Sequence, residues 1–516
     1  MKKRLLLTGL LVLVLTLLAF PVLTSADPGE LHVGPGHPYA TIQAAVDAAI
    51  PYDTIIIHDA GTDPDYEENV DVGVNHLTIE EAEGEEVTVK AADSGDHVFE
   101  VTMDYVTIRG LDIYGAMSSA GIFLDNASDC TIGNNRCGWD DSYNNGLGIC
   151  LNASSDNTLT GNTCNQNYNG ISLNDSSNNT LTDNTCNDHN YGIYLWRSSD
   201  NTLMGNICSD NNYGIYLWRS SDNTLMGNTC NHNNDYGICL SRSSDNTLTD
   251  NSMSDNHRNF GVSGMDRPHY IQDIDITNTV DGKPIYYWVN QHDREIPNDA
   301  GYVVVVGCTN ITVQDLTLAN NSHGVLFAYT SDSLIENVDV WSNNYGISLD
   351  HSSNNTLTDN TCNDNNRGIC LNDSSDNHIY LNNFIDNDIA NVYSTISTNT
   401  WNSPEQMTYT YNGMSYTNYL GNYWSDYTGN DTNPEDGLGD TSYLVAGDND
   451  DSYPLMLPFI PGDADGDGDV DVFDWVNVRR ILEGLDDPTC GADADEDSDV
   501  DVFDWVKVRR ILEGLE

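Results

Sequence analysis

The chain has 516 residues, with 80 Asp and Glu against 19 Lys and Arg, for a formal net charge of −61. So acidic a surface repels nucleic-acid phosphates and anionic lipid headgroups, which excludes both as expected partners. The length allows several domains and a sizeable core. The N-terminus carries Lys2, Lys3 and Arg4, an apolar run from Leu5 to Phe20, and small residues at Thr24 and Ala26. That pattern predicts a signal peptide over 1–26, removed to leave an exported chain with no membrane span. Further on, Tyr39 to Ala49 reads as a short helix.

From 101 to 400 the chain is an array. Gly148, Gly170, Gly192 and Gly214 stand 22 apart and each opens a Gly-Ile-x-Leu run, with Gly237 following at 23. The beat resumes at Gly324, Gly346 and Gly368 after an insert at 257–301. A fixed period near twenty with short alternating strands signals a solenoid. In each run the Ile and Leu share one face and must point inward. Asn162, Asn184, Asn206, Asn228, Asn251 and Asn360 recur at one coil position. Stacked coils lie about 4.8 Å apart, so these amides can bond up and down a ladder. Cys164, Cys186, Cys208, Cys230 and Cys362 also recur at an inward position. They read as stacked small core residues with free thiols rather than disulfides. Cys150, Cys239 and Cys370 fall on the outward position instead.

Tyr194, Trp196, Tyr216 and Trp218 occupy outward positions of two successive strands, flanked by Arg197 and Arg219. Aromatic side chains offer sugar rings contact area at low entropy cost, so this patch is the candidate polysaccharide-binding site. The alternative is a stack that only stabilises neighbouring strands. Arg197, Arg219, Arg242 and Asp200, Asp222, Asp245 recur with the coil. A catalytic centre is built once, so these are assigned to the turn. In the insert, Lys283, His292, Asp293 and Arg294 are candidates for an active-site wall, because loops on a rigid scaffold carry function more often than its coils. The thirteen His are otherwise scattered without a motif. Asn-x-Ser/Thr tripeptides at Asn126, Asn152, Asn174, Asn310 and Asn430 fit a glycosylated surface protein. Asp436 and Asp440, in an Asp-rich segment, are candidates for one calcium ion.

The tail from 459 to 516 says one thing twice. Asp463, Asp465, Asp467, Asp469, Asp471 and Asp474 are repeated thirty positions on as Asp493, Asp495, Asp497, Asp499, Asp501 and Asp504. Carboxylates at loop positions 1, 3, 5, 9 and 12 are what a hard cation with six to eight oxygen ligands needs, which predicts two Ca2+ ions. Position 6 is Gly468 in the first loop and Ser498 in the second; Ser is penalised at positive φ, so weaker calcium binding is expected in the second. Trp475, Val478, Leu482 and Trp505, Val508, Leu512 mark the apolar faces of two helices.

The duplicated loop–helix resembles a type I dockerin. The resemblance implies calcium-dependent docking onto a cohesin module, with contacts at Val472, Phe473, Arg479 and Arg480 and, in the second copy, Val502, Phe503, Arg509 and Arg510. Residues 30 to 458 resemble a right-handed parallel β-helix of the pectate-lyase type, and among these the repeat proteins related to the copper-site maturation protein of nitrous oxide reductase. The implied fold is all-β: a single-stranded parallel β-helix of about 22 residues and three strands per coil, plus a small all-α calcium-binding domain. Residues 27–100 form the N-terminal cap and first coils, and 401–458 close the helix, in a segment similar to one of methanogen surface proteins. Copper is not expected, since a buried cysteine column offers no exposed ligand cluster. The sequence thus reads as a secreted, monomeric cell-surface β-helix that binds polysaccharide and attaches to a cohesin-bearing partner. The alternatives are a polysaccharide lyase or glycoside hydrolase of a cellulosome-like complex, and a structural surface-layer or adhesion protein. No Gly-His-Gly loop of the pectin-hydrolase kind is present.

Overall fold

The computed structural model describes residues 28–62, 64–138, 144–494 and 500–512. The expected signal peptide lies outside the described residues. A typical coil contains the strands Tyr191–Trp196, Thr202–Met204 and Ile207–Ser209, each paired in parallel with its copy in the next coil. Stacked in this way, the strands form three long parallel sheets of 11, 9 and 16 strands. The result is a parallel β-solenoid of the right-handed type.

The coil is built as the two-residue alternation requires. Ile193, Leu195, Leu203 and Cys208 all point inward and are fully buried, each apolar side chain contributing roughly 1.5–3 kcal/mol. Four residues per coil, such as Arg197, Asp200, Gly205 and Asp210 at φ +50° to +66°, turn the corners in the left-handed conformation. Asp and Asn tolerate it best among non-glycine residues. Cys137, Cys164, Cys186 and Cys208 stack in register in the core, and all twelve cysteines are free thiols. Cys150, Cys239 and Cys370, on outward positions, are nonetheless covered by neighbouring side chains.

The asparagine ladder forms. Asn184 Nδ2 donates to Asn206 Oδ1 at 3.0 Å and Asn206 Nδ2 to Asn228 Oδ1 at 3.0 Å, with all three side chains fully buried. Two further ladders run beside it, through Asn157, Asn179, Asn201, Asn223 and Asn246, and through Asn211, Asn233 and Asn256. A serine ladder joins them, Ser198 N donating to Ser220 Oγ at 3.0 Å. The ladders thus satisfy buried polar groups at the corners, as a buried backbone requires.

The insert changes the cross-section. Thr279–Val280 pairs antiparallel with Lys283–Val289, two of the three sheets end nearby, and a new eight-stranded sheet starts at His292–Glu295. Just beyond it, Thr309–Ala319 and Leu334–Trp341 are single long strands where earlier coils have two short ones. The three-strand coil expected throughout is therefore interrupted here. It returns when Leu334–Trp341 pairs with both Thr356–Thr358 and Thr361–Asn363.

Both ends are covered, since a bare end coil would expose unpaired strand edges. At the start, helix α1 (Ile42–Ala48), capped by Thr41 Oγ1, buries Ile42, Ala45 and Val46. At the close, Trp401 and Trp424 are fully buried, and Asp451 accepts hydrogen bonds from Trp424 Nε1 at 2.9 Å and Asn422 N at 2.9 Å. Burial pushes the Asp451 carboxyl up to about 6. Helices α2 (Val472–Leu482) and α3 (Val502–Leu512) follow, packed through Trp475 and Trp505 at 4.9 Å between ring centroids and through buried Val478 and Val508.

Candidate functional site

Tyr194, Trp196, Tyr216 and Trp218 do come together. Tyr194 and Tyr216 stack at 5.6 Å between centroids, and Trp196 and Trp218 at 6.1 Å with planes 4° apart. Parallel rings in contact lie about 3.5–4 Å apart along their normal, so these separations mean lateral offset, like roof tiles. All four side chains are half-buried. Sequence alternation does not reveal that Tyr191, Tyr213 and Tyr236 join the ridge. Tyr191 stacks on Tyr194 at 4.8 Å and on Tyr213 at 5.0 Å, and Tyr213 on Tyr236 at 5.7 Å. The reason is Gly192, outside the paired register between Tyr191 and Ile193, whose added Cβ would meet Gly214 O at 2.6 Å. The chain bends at this glycine and swings the preceding tyrosine outward.

Cations border the ridge. The Arg197 and Arg219 guanidiniums each lie 4.5 Å from the centroid of the preceding tryptophan ring. Arg242 continues their row one coil on, Arg219 N donating to Ser241 O and Arg242 N to Ser263 O. All three are left-handed, at φ +50° to +52°, where Asp175 and Asp373 stand in other coils. An arginine carries a conformational cost there that aspartate largely avoids, and such strain points to use. Burial pushes the Tyr216 hydroxyl up to about 12, and burial followed by the neighbouring Asp235 carboxylate raises Tyr213 further. These hydroxyls remain hydrogen-bond donors at any ordinary pH.

The insert residues do not assemble. His292, Asp293 and Arg294 are consecutive on an exposed strand, with Asp293 left-handed at φ +53°. His292 Nδ1 pairs with Asp293 Oδ2 at 2.9 Å, while Arg294 lies 4.3 Å over Trp288. Lys283 begins a different strand, and among the described residues no ion pair joins it to them. Asp436, its carboxyl raised first by burial, also feels the charge of Asp440. Asp436 Oδ1 accepts from Leu438 N at 3.2 Å, and Asp440 Oδ2 from Thr432 Oγ1 at 2.7 Å.

In the tail, carboxylate oxygens of Asp463, Asp465 and Asp467 lie within 4.8 Å of one another, as do those of Asp469, Asp471 and Asp474. The loop is wound by its own backbone. Asp463 accepts from Gly466 N at 2.7 Å and Gly468 N at 3.0 Å, and both glycines have positive φ. Asp474, fully buried, accepts from Asp465 N at 3.0 Å and Asp471 N at 2.6 Å, tying the two groups together. Burial, with Asp474 among the repelling neighbours, pushes the Asp463 and Asp465 carboxyls up to about 6. Asp465 Oδ1 is buried without a hydrogen-bond partner among the described residues. The second loop repeats the anchor, fully buried Asp504 accepting from Ala494 N at 2.7 Å and Asp501 N at 2.5 Å. Asp495, Asp497, Ser498 and Asp499 lie outside the described residues. Val472 and Phe473 are 53% and 63% exposed, and Val502 and Phe503 have the same values, so the two copies present equal apolar pairs. Arg479 and Arg480 make exposed ion pairs with Glu483 and Asp486.

The ladders, coil and aromatic ridge define a parallel β-solenoid with an outward-facing aromatic strip. Over residues 78–286 and 290–429 the chain matches the family described as "Periplasmic copper-binding protein (NosD)", and it belongs to that family. No curated protein sequence matches it. Among solved structures it is similar to the Dettilon tailspike protein (15% identity, 70% of this chain and 68% of that one, TM-score 0.34). It is also similar to DFA-IIIase from Arthrobacter chlorophenolicus A6 without its lid (10%, 63% and 94%, 0.37) and to PfbA, a surface adhesin of Streptococcus pneumoniae (12%, 73% and 94%, 0.36). At these scores the likenesses carry no argument about function. Among the described residues no helix is long and apolar enough to cross a membrane.

Proposed function

We propose that the solenoid is an extracellular polysaccharide-binding rod whose C-terminal tail is a calcium-dependent dockerin for a cohesin-bearing partner. The observation that carries the glycan reading is the offset ridge of five tyrosines and two tryptophans beside a row of three arginines. Half-buried rings, with protonated hydroxyls between them, suit successive sugar units. On a chain of net charge −61, an arginine row favours an anionic glycan. The test is retention on a panel of immobilised neutral and acidic polysaccharides. Trp196→Ala with Trp218→Ala should reduce retention at least tenfold, and unchanged retention overturns the reading. Assaying the same panel for cleavage products decides between binding and a lyase or hydrolase.

The converged carboxylates of the first tail loop support calcium binding there, one ion of the two proposed for the tail, and the orphan Asp465 Oδ1 supplies an oxygen with no other use. Val472, Phe473, Val502 and Phe503, with the arginines at 479, 480, 509 and 510, form two equivalent faces for one cohesin. The copper named in the family description fits the cysteine column poorly. Cys137, Cys164, Cys186 and Cys208 are fully buried in the core, and burial pushes the Cys208 thiol up. Soft-metal binding needs thiolate and access.

A further inference from the structure

At the end of the rod remote from the tail, the fold gathers three histidines that the sequence separates. His32 lies on the strand Glu30–Val33, which pairs in parallel with Thr54–Ile57. His58 follows that second strand, its N–H donating to Val33 O at 3.0 Å, and His37 sits in the turn before α1. Ring nitrogens of all three lie within 4.8 Å of one another. The His37 and His58 rings are parallel to within 2° at 3.9 Å between centroids, and His32 flanks both at 5.5 and 5.3 Å.

The contacts around the group set the tautomer of His58. His58 Nδ1 lies 3.2 Å from Glu85 Oε1, while Asp59 N donates to Glu85 Oε2 at 2.7 Å. A carboxylate can only accept, so the ring proton of neutral His58 sits on Nδ1 and its Nε2 carries a lone pair. That lone pair faces His32 Nδ1 at 3.0 Å, where it accepts the His32 ring proton or, with that proton displaced, shares a cation with His32. His32 Nε2 is 3.5 Å from Glu30 Oε2. Two nitrogens bound to one metal ion at about 2.0–2.1 Å are about 2.9–3.4 Å apart, which brackets the observed separation.

The geometry points to a site for one divalent first-row transition-metal ion, with His32 Nδ1 and His58 Nε2 as donors, exposed His37 turning from its stack on His58 to supply the third, and Glu85 orienting His58. Imidazoles select zinc, copper or nickel over calcium, so this site and the acidic tail would not compete for the same ion. A carboxylate behind a ligating histidine is the usual device for setting its tautomer. All three histidines precede residue 78, where the family match begins, so family membership does not assign them.

The test uses the full chain, without a histidine tag and saturated with Ca2+ so that the acidic loops are filled, titrated with Cu2+ alone. One tightly bound equivalent is expected, with nitrogen superhyperfine structure in its electron paramagnetic resonance spectrum and displacement of pre-bound Zn2+. His32→Gln with His58→Gln should abolish it. His37→Ala, at an exposed position, should weaken binding at least tenfold. Glu85→Gln should weaken it about 10–100-fold while keeping the nitrogen signature. An oxygen-only spectrum, or unchanged affinity in the double variant, overturns the assignment. Should the double variant fail to fold, unchanged affinity in both His37→Ala and Glu85→Gln overturns it equally.

Discussion

The rod and the tail handle buried polar groups in opposite ways. In the rod, the ladder amides find their partners in the same residue of the next coil, as Asn184, Asn206 and Asn228 do. The repeat satisfies itself, and adding a coil adds both the donor and the acceptor. In the tail, six carboxylates of one loop crowd together, and burial raises Asp463 and Asp465 rather than bonding them fully. One region is complete by repetition; the other gathers negative charge that calls for a cation from outside. Stability in the first should be local and additive, and in the second conditional on an ion.

The largest effect should come from removing calcium. Chelation should abolish hydrogen-exchange protection across α2 and α3, because isolated 11-residue helices are marginal. Amides of the coils around Ile193 and Leu217 should exchange as before, and loss of protection in both regions would erase the contrast. Next comes Asn206→Ala, which strands the Asn184 amide and the Leu181 carbonyl. It should cost on the order of 3 kcal/mol in chemical denaturation. The same change at exposed Asn212 should cost less than about 0.5 kcal/mol. Tyr194→Ala with Tyr216→Ala should cost the rod about 1 kcal/mol beyond the area lost; a much larger loss would mark the ridge as structural.

A pH effect follows from Asp451. Its carboxyl titrates near 6 when folded and at about 3.9 when unfolded. The folded state therefore holds more protons between those values, so this contribution is present below about pH 4 and is lost as pH rises through about 6. Denaturation midpoints of the C-terminal closure should fall over that window, and Asp451→Asn should flatten the slope. The smallest effect concerns the thiols. With eleven of the twelve cysteines buried, alkylation of native protein should label almost none, while alkylation after denaturation without reductant should label all twelve.

Much of this was legible in one dimension. The 22-residue beat, the inward Ile and Leu, the cysteine column and one asparagine ladder follow from spacing, because a solenoid maps sequence period directly onto spatial stacking. The clustering of carboxylates in the first tail loop was legible too, since they lie within twelve residues. Tyr191, Tyr213 and Tyr236 were not, because strict alternation places them inward and only the bend at Gly192 turns them out. Two of the three asparagine ladders hid among turn residues whose composition marks any loop. The long strands after the insert were equally hidden, as Val and Thr there fit one strand or two.

Taken alone, the sequence determined the repeat, the faces of its strands and the paired acidic loops, all of which depend on contacts between residues close in the chain or one period apart. The tertiary structure decided which side chains converge across unequal spacings. His32, His37 and His58 share no period and look scattered, yet parallel pairing of the first two coils stacks their rings. His292, Asp293 and Arg294 look like a site because they are adjacent, yet only His292 and Asp293 pair, while Arg294 lies over Trp288. Proximity in the chain and convergence in space coincide only where the backbone repeats; at the cap and the insert, the path of the chain decides.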